Sequence, residues 1–297
     1  MKLRAQSLTA VLVAIGILLS MSRALAAPGA EGPAKKGLTN PFFAMDTATN
    51  RGLSANDQIA LVKELGYAGM GCDIAIMPDM MKAVDDAGLK LFAVYAGADV
   101  DPGKPKYDAR LPGAAKSLKG RDTFVWLFIT GGKPSSTDAD TQAVAIIQEV
   151  ADLAAASGLR VALYPHAGFY MERVEDAVRL VKKAERKNVG VTFNLCHWLK
   201  TDKEENLKPL LKQATPHLYV VTINGADSGG KNWDTLIQTL DRGTFDMFNF
   251  LKTLKDLRFK GPIGFQGYGI KGDPRDNLQR TIVAWQKLSA RLAAEQE

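Results

Sequence analysis

Short apolar runs alternate with amphipathic segments along the chain from Asn40 onward. The runs are rich in β-branched and aromatic residues, and they predict eight β-strands at residues 41–46, 67–72, 90–96, 123–129, 160–165, 189–194, 218–224 and 262–267. In the segments between them, apolar residues recur every three or four positions. This spacing predicts helices at residues 55–65, 78–87, 137–157, 172–187, 203–213, 245–257 and 275–294, with a short, weakly patterned one at 111–119.

Residues that flank these segments support the helix boundaries. Ser54, Thr137-Asp138 and Asp273-Pro274 precede the first, fourth and last helices, where they can cap the amino ends. Glycines that suit left-handed carboxyl-terminal caps follow three of the helices: Gly66, Gly88 and Gly158.

The alternation of strands and helices, with nearly continuous apolar strands, predicts a parallel sheet covered by helices. Eight such units favour closure into a (β/α)8 TIM barrel, formed as a single domain by residues 40–297. The chain has 297 residues, 46% of them hydrophobic, which is enough to build one large core. A doubly wound open sheet is the alternative, but no Gly-x-Gly-x-x-Gly motif follows the first strand.

The first 26 residues have the order of a secretory signal peptide. Lys2 and Arg4 precede an apolar run at residues 8–21, and Ala24-Leu25-Ala26 has the pattern of a cleavage site. A membrane anchor is the alternative, but the run is shorter than the roughly 20 residues that span a bilayer, and Arg23 closes it. We therefore expect removal of this segment, export to the periplasm or the extracellular space, and no stable membrane anchor.

The distribution of charge narrows the classes of partner that the protein can bind. The formal net charge of +6 falls by three when the signal peptide is removed, and the basic residues are spread along the predicted helices. This distribution argues against a nucleic-acid partner.

Cys72 and Cys196 could pair in an oxidising compartment, but each lies in an apolar strand-like run and is better explained as a small buried residue. Residues 27–39, rich in Gly, Ala, Pro and Lys, predict a flexible lead-in to the barrel.

Reacting groups in a β/α barrel come from the carboxyl ends of the strands and the loops that follow them. His166 and His197 come just after the fifth and sixth predicted strands, which are neighbours in the barrel. Imidazole is a common transition-metal ligand and titrates near neutrality, so the pair predicts metal ligands or acid/base groups. Two loop histidines held by backbone carbonyls are the alternative. Asp46 ends the first strand and is a candidate base, with a loop-capping role as its alternative.

Amide and aromatic side chains near other strand ends predict a polyol ligand. Asn194, Asn224 and Gln266 end the sixth, seventh and eighth strands, where a buried amide needs hydrogen-bond partners. We expect these amides to hold sugar hydroxyls, and bonds to one another or to the backbone are the alternative. Tyr164 and Trp198 can offer ring faces to the apolar side of a sugar.

The loop after the eighth strand, residues 267–275, is rich in glycine, contains Lys271 and leads into a helix. Such a loop can receive an anionic group at the helix amino terminus, with Lys271 contributing to binding. It matches no phosphate-binding motif, so a simple capped loop is the alternative.

Five segments carry a resemblance to a known family: LYPHAG (163–168), GVTFNLCHW (190–198), VVTINGAD (220–227), LDRGTFDMFNFLKTL (240–254) and IGFQGYG (263–269). The sequence resembles the sugar phosphate isomerase/epimerase family with the xylose-isomerase-like barrel, over nearly all of the chain after the signal peptide. The resemblance implies a divalent metal held by Glu, Asp, His, His and Glu near the ends of strands five to eight. In the family, the metal and the two glutamates move a proton at a carbon beside a carbonyl.

On this chain, the positions that correspond to the family ligands are Tyr164, Asn194, His197, Thr222 and Gln266. Only His197 matches. Amides and a phenol in place of carboxylates remove the charge that holds a hard divalent cation, and they remove the usual carbon bases. The cofactor that remains compatible with the resemblance is a divalent metal (Mn, Zn, Co or Mg) held by His166 and His197 together with water.

Together, these features predict a sugar isomerase or epimerase-like enzyme that acts on a small-molecule carbohydrate, a sugar or keto-sugar, by acid/base proton transfer at the carboxyl-terminal face of the barrel. Two alternatives are a non-catalytic sugar-binding barrel that has lost the family metal site and a metal-free lyase on keto-sugars. Glycoside hydrolysis would need two carboxylates about 5–9 Å apart, for which Asp46 and Asp73 are the candidates.

Overall fold

The computed structural model describes residues 37–49 and 52–295, and the predicted signal peptide and residues 27–36 of the predicted lead-in lie outside this part of the chain. Eight parallel strands close into a barrel in chain order, with β1 paired to both β2 and β8. The strands are β1 (Phe42–Met45), β2 (Gly69–Asp73), β3 (Lys90–Asp99), β4 (Phe124–Thr130), β5 (Arg160–Leu163), β6 (Val189–Asn194), β7 (Leu218–Ile223) and β8 (Ile263–Phe265). The predicted TIM barrel is confirmed, and its closure excludes the open doubly wound sheet.

Helices follow the strands as the alternating pattern predicts. In the described residues they are α1 (Ala55–Glu64), α2 (Met77–Ala87), α3 (Leu111–Ser117), α4 (Asp140–Ala155), α5 (Val174–Ala184), α6 (Leu195–Thr201), α7 (Leu207–Ala214), α8 (Trp233–Leu236), α9 (Met247–Asp256) and α10 (Pro274–Ala294). Most of their buried apolar residues recur at helical spacing and pack on the outer face of the strands in one continuous core, whereas Leu236 of α8 packs with Cys196 and Ile237 in a separate small cluster.

The largest differences from the sequence prediction concern β3, α4, α6 and the short helix α8, which was not predicted. Strand β3 continues to Asp99 because its last residues stay paired with β4. Helix α6, which was not predicted, starts directly after β6, where the Asn194 side chain accepts a hydrogen bond from the backbone N–H of His197. Helix α4 starts at Asp140 without a side-chain cap, so the predicted start at Thr137 was wrong. The predicted amino-terminal caps of α1 and α10 are confirmed.

Successive residues of a strand point to opposite sides of the barrel wall. Phe42 points outward and stacks on Trp285 of α10, with ring centroids 4.3 Å apart. Phe43 points inward and stacks on Phe92 at 4.8 Å. Gly264 leaves room for the Phe43 ring, because a Cβ at that position would lie 2.5 Å from Phe43 Cζ. The lower part of the barrel interior is therefore a packed core.

Both cysteines are free and buried, so the interpretation of Cys72 and Cys196 as small buried residues is confirmed. Within residues 37–49 and 52–295, no helix combines the length and the apolarity needed to cross a membrane.

Candidate active site

A cavity of about 380 Å³ opens at the carboxyl-terminal end of the barrel, and we call it the first cavity. The site residues predicted from the sequence that line it are Asp46, Tyr164, His166, His197 and Gln266. Other wall residues come from neighbouring strand ends and loops: Asp73, Tyr95, Trp233 and Tyr268. Small-molecule sites usually measure roughly 300–1,000 Å³, so the first cavity has the size of a ligand site.

The two predicted histidines lie against each other in the wall of the first cavity. Their ring centroids are 3.9 Å apart, with an angle of 40° between the rings. His166 is held in the loop after β5 by a stack on the Phe169 ring at 3.9 Å and by a hydrogen bond from its backbone N–H to Met171 O. His197 is held in the first turn of α6 by the cap that Asn194 provides. The sequence prediction that adjacent strand ends bring these two imidazoles together is confirmed.

His166 is neutral near pH 7, and its hydrogen bonds define its tautomer. Burial lowers its pKa, an effect that the Ala167 carbonyl partly offsets. Nδ1 lies 3.0 Å from that carbonyl oxygen, which can only accept, so Nδ1 carries the hydrogen. The lone pair of the neutral ring is then on Nε2, which makes Nε2 the proton acceptor of this side chain.

His197 is more deeply buried, with 6% of its surface exposed. Burial lowers its pKa far below the ordinary value, and the neighbouring His166 ring lowers it further. Its Nδ1 is buried and has no hydrogen-bond partner within residues 37–49 and 52–295. An unpartnered buried nitrogen costs free energy, so the ring gains from a ligand or water that bonds to it.

Tyr164 links the ends of three strands through its hydroxyl. Asn194 Nδ2 donates to Tyr164 Oη at 2.7 Å, and Gln266 Nε2 approaches the same oxygen at 3.5 Å. On the far side, Gln266 Oε1 accepts a hydrogen bond from Thr47 Oγ1 at 2.7 Å. Burial raises the pKa of Tyr164 well above its ordinary value, so the phenol stays protonated. These side chains form an uncharged network beneath the first cavity.

This network occupies the positions of the metal ligands that the resemblance implies, and its chemistry does not fit a divalent metal. Asn194 and Gln266 are neutral amides whose donor groups face Tyr164 Oη. Thr222 Oγ1 is buried and has no hydrogen-bond partner in the part of the chain that the structure describes, and a neutral hydroxyl is a weak ligand. Among the described residues, no group of three or more His, Cys, Asp or Glu side chains could hold a metal ion. The uncharged donor set lacks the carboxylates that hard cations require.

Asp46 lies in a short 3-10 turn that directly follows β1, and only 2% of its surface is exposed. Its Oδ2 accepts a hydrogen bond from the backbone N–H of Asp73 at 3.3 Å. The Asp73 carboxylate in turn accepts a hydrogen bond from the N–H of Ala75 at 2.7 Å. Asp46 thus braces the end of β2 and also lines the first cavity.

The structure does not bring four predicted site residues into the first cavity wall. Asn194 lies beneath it, where its side chain donates to Tyr164 Oη and caps α6. Trp198 packs in the outer core, where Nε1 donates to Asp202 Oδ2 at 3.3 Å. Asn224 is buried, and its amide donates to the backbone oxygens of Gly225 and Leu236. Lys271 is exposed on the loop after β8.

The amino terminus of α10, which follows that loop, is already occupied. The Asp273 carboxylate accepts from the backbone N–H groups of Arg275 and Asp276. An anion that approached the helix end would meet a carboxylate in the position where it could bind. The structure therefore favours the simple capped loop that the sequence left as an alternative.

Two aromatic residues at the mouth of the first cavity have no role in the sequence prediction. Trp233 and Tyr268 are unusually exposed for their type, at 41% and 62%. The edge of Trp233 meets the His197 ring, with the centroids 5.4 Å apart. Tyr268 directly follows the eighth predicted strand, among the strand-end residues where active-site groups are expected, but no role was predicted for it. Trp233 begins the short helix α8, in the long segment between β7 and α9, where strand-end spacing gives no signal.

Comparisons with known proteins agree with this architecture. The family model described as "Xylose isomerase-like TIM barrel" matches residues 59–288. No curated protein matches the chain. A solved structure of 3-keto-D-glucoside 4-epimerase from E. coli is 17% identical, with a TM-score of 0.66 over 84% of this chain and 99% of that one.

Two further solved structures show the same fold. The IOLI protein with a bound zinc atom is 14% identical, with a TM-score of 0.65 over 84% of this chain and 98% of that one. D-allulose 3-epimerase from Methylomonas sp., in complex with D-allulose, is 18% identical, with a TM-score of 0.64 over 86% of this chain and 98% of that one. Because the family model covers well over half of the sequence, this chain belongs to the xylose isomerase-like TIM barrel family.

Proposed function

We propose that this protein is a metal-independent acid/base enzyme of the isomerase or epimerase type, acting on a sugar or keto-sugar in the first cavity. The observation that carries the proposal is the placement of two proton-transfer groups across one cavity. Asp46 follows β1 and His166 follows β5, and these strands lie four positions apart in either direction around the closed ring of eight. Groups on opposite sides of a bound sugar can reach opposite faces of one carbon.

The proposed reaction begins with removal of a proton from the carbon beside a carbonyl. In one direction, Nε2 of His166 accepts this proton and the electrons of the broken C–H bond form an enediolate. Asp46 in its acid form then delivers a proton to the opposite face of the same carbon. The reverse direction exchanges the two roles, so protons and electrons balance and the stereocentre is inverted.

The enediolate oxygen needs a hydrogen-bond donor, and Gln266 can provide one. Its Nε2 lies at 3.5 Å from Tyr164 Oη, the weak limit of a hydrogen bond, so that donor can turn to a ligand oxygen at little cost. Thr47 holds the other end of the amide in place.

The aromatic residues at the cavity mouth suit a sugar. Trp233 and Tyr268 present exposed ring surface at the rim, and Tyr95 lines the wall below. A sugar ring has apolar C–H faces and hydroxyl groups around its edge. Aromatic rings in the cavity wall can contact the C–H faces, and the carboxylate, amide and imidazole groups can bond to the hydroxyls. Proteins of the same fold include a 3-keto-D-glucoside 4-epimerase and a D-allulose 3-epimerase, and this agrees with the proposed substrate class.

Exchange of solvent deuterium into substrate tests the proposed proton transfer directly. The protein is incubated in D2O with a panel of aldo- and keto-sugars, and NMR follows both loss of the C–H signal and formation of the epimer. We expect Asp46→Asn and His166→Gln each to slow formation of the epimer by about 10²–10⁴-fold, the usual contribution of a general acid or base. Asn at position 46 can still accept the hydrogen bond from Asp73 N–H, so the fold should survive. Asp79→Asn, on the exposed face of α2, is the matched control and should exchange normally.

Metal independence is tested on the same reaction. After exhaustive chelation the exchange rate should persist, and Mn, Zn, Co or Mg should change neither that rate nor the melting temperature. Loss of exchange on chelation with recovery on adding one of these ions would overturn the metal-free mechanism and favour a metal held by His166 and His197.

A sugar-binding barrel without turnover is the second candidate, favoured by the loss of both family glutamates at Tyr164 and Gln266. Sugars that raise the melting temperature without any deuterium exchange would support it. Two other outcomes are separable by product. Formation of an unsaturated keto-sugar would indicate a lyase. Release of a monosaccharide from a glycoside would indicate hydrolysis by Asp46 and Asp73.

A further inference from the structure

A second cavity of about 440 Å³ adjoins the first. The two share Asp73 and Tyr95 in their walls, so the second cavity continues the first along the ends of β2, β3 and β4. Each lies within the roughly 300–1,000 Å³ typical of small-molecule sites. A single monosaccharide in the first cavity would leave the second one unused.

The wall of the second cavity is built by main-chain pairing beyond the barrel. Strand β3 is ten residues long, and its last residues pair on their free side with residues 106–108, which fold back antiparallel. Two main-chain hydrogen bonds of 3.0 Å hold this hairpin, from Asp99 N to Lys106 O and from Asp108 N to Gly97 O. Because the wall is fixed by backbone hydrogen bonds, the cavity exists before any ligand arrives.

Aromatic rings line the second cavity, and one glycine makes room for them. The rings of Tyr95 and Phe128 lie 4.5 Å apart, and Tyr107 adds a third ring from the hairpin. A Cβ at Gly97 would lie 2.6 Å from Phe128 Cζ, so this position needs glycine for the ring to sit where it does. The Tyr107 hydroxyl donates to Glu149 Oε1 at 2.6 Å, which anchors that ring from outside.

Charge decides the kind of group that the second cavity can hold. Its ionisable wall residues are three carboxylates, Asp73, Asp99 and Asp108, and one guanidinium, Arg110. Arg110 is already paired with Asp108 through two hydrogen bonds. The excess of negative charge repels a phosphate or carboxylate, whereas carboxylate oxygens accept hydrogen bonds from neutral hydroxyls.

We propose that the second cavity binds a second, uncharged glycosyl unit, so that the substrate is a neutral glycoside of at least two sugar units and not a free or phosphorylated monosaccharide. This inference rests on the proposed function of the first cavity, and it adds the substrate class. The reacting unit lies between Asp46 and His166, and the linked unit lies against Tyr95, Phe128 and Tyr107.

Calorimetric titration of the full chain with D-glucose, cellobiose, maltose, sucrose and trehalose tests the proposal. At least one disaccharide should bind about ten-fold or more tightly than glucose, which corresponds to about 1.4 kcal/mol. Tyr107→Ala should remove this preference and leave glucose affinity unchanged, whereas Tyr107→Phe, which keeps the ring and its backbone pairing, should retain it. Ala109→Trp, at an exposed position in the wall, should fill the second cavity and weaken only the disaccharides.

Equal affinity for glucose and all four disaccharides would overturn the second glycosyl site while leaving the proposed function intact. A disaccharide preference that survives both Tyr107→Ala and Ala109→Trp would also overturn it, because the extra unit would then bind elsewhere. A preference removed by both variants, in a protein that shows no deuterium exchange with any sugar, would support the site and refute the enzymatic proposal. Tighter binding of glucose 6-phosphate than of glucose would contradict the charge argument.

Discussion

Replacing Tyr164 by Phe removes the hydroxyl at the centre of the uncharged network and should destabilise the barrel measurably. Asn194 Nδ2 donates to this hydroxyl at 2.7 Å, and both residues are only 2% exposed. Without the hydroxyl, the Asn194 donor loses its partner where water does not reach, which costs about 1–3 kcal/mol. The contact from Gln266 adds little, because at 3.5 Å it is weak and Gln266 can bond to water in the first cavity.

The free energy of unfolding from urea denaturation measures this loss, with Tyr107→Phe as the matched control. Tyr107 also has a bonded hydroxyl, but it lies near the surface, so its loss should stay within about 0.5 kcal/mol. A double-mutant cycle with Asn194→Ala isolates the pair, and we expect a coupling free energy of about 0.5–3 kcal/mol. Equal losses for the two Phe variants, or a coupling near zero, would refute the reasoning that this bond stabilises the interior.

Three further predictions concern stability measured in the same way. The free energy of unfolding should fall as the pH drops below about 6.5, because His197 binds a proton in the unfolded chain but stays neutral when buried in the folded protein. His197→Gln should make this dependence on pH weaker. An unchanged dependence would contradict the lowered pKa of His197. Gly264→Ala brings a Cβ within 2.5 Å of Phe43 Cζ and should cost about 1–3 kcal/mol, whereas Gly113→Ala, with nothing within 4 Å, should be neutral or stabilising. Asp273→Ala removes the cap of α10 and should cost about 1 kcal/mol; no loss would show that the cap is dispensable.

The strands and helices could be predicted because their signals are local. Apolar runs and helical spacing mark every strand and all helices except the short α6 and α8, and eight repeats of one unit indicate a closed barrel. The end of β3 was missed for a non-local reason. Gly97, Ala98 and Asp99 lack a strand-like composition, and they remain extended because β4 on one side and residues 106–108 on the other pair with them. The second cavity, which depends on this extension, could not be predicted either.

The site residues likewise divide into those that chain order predicts and those that depend on the tertiary structure. Parallel strands end at one face of a barrel, so chain order alone predicts that the ends of β1, β5, β6 and β8 meet there. Which neighbouring side chain faces inward depends on structure that the pattern did not reveal. His197 and Trp198 both lie in α6, where successive residues are rotated by about 100°. Hence His197 faces the cavity and Trp198 packs in the outer core.

The amino-acid sequence by itself determined the barrel, the face that carries the first cavity, the meeting of His166 with His197, and the loss of charge at the family's metal positions. These follow from residue type and order along the chain. Only the tertiary structure decided that the Asn194 side chain bonds to Tyr164 and caps α6 instead of binding a ligand, and that a second cavity adjoins the first. Hydrogen-bond partners and cavity walls come from segments far apart in sequence, and packing selects among them.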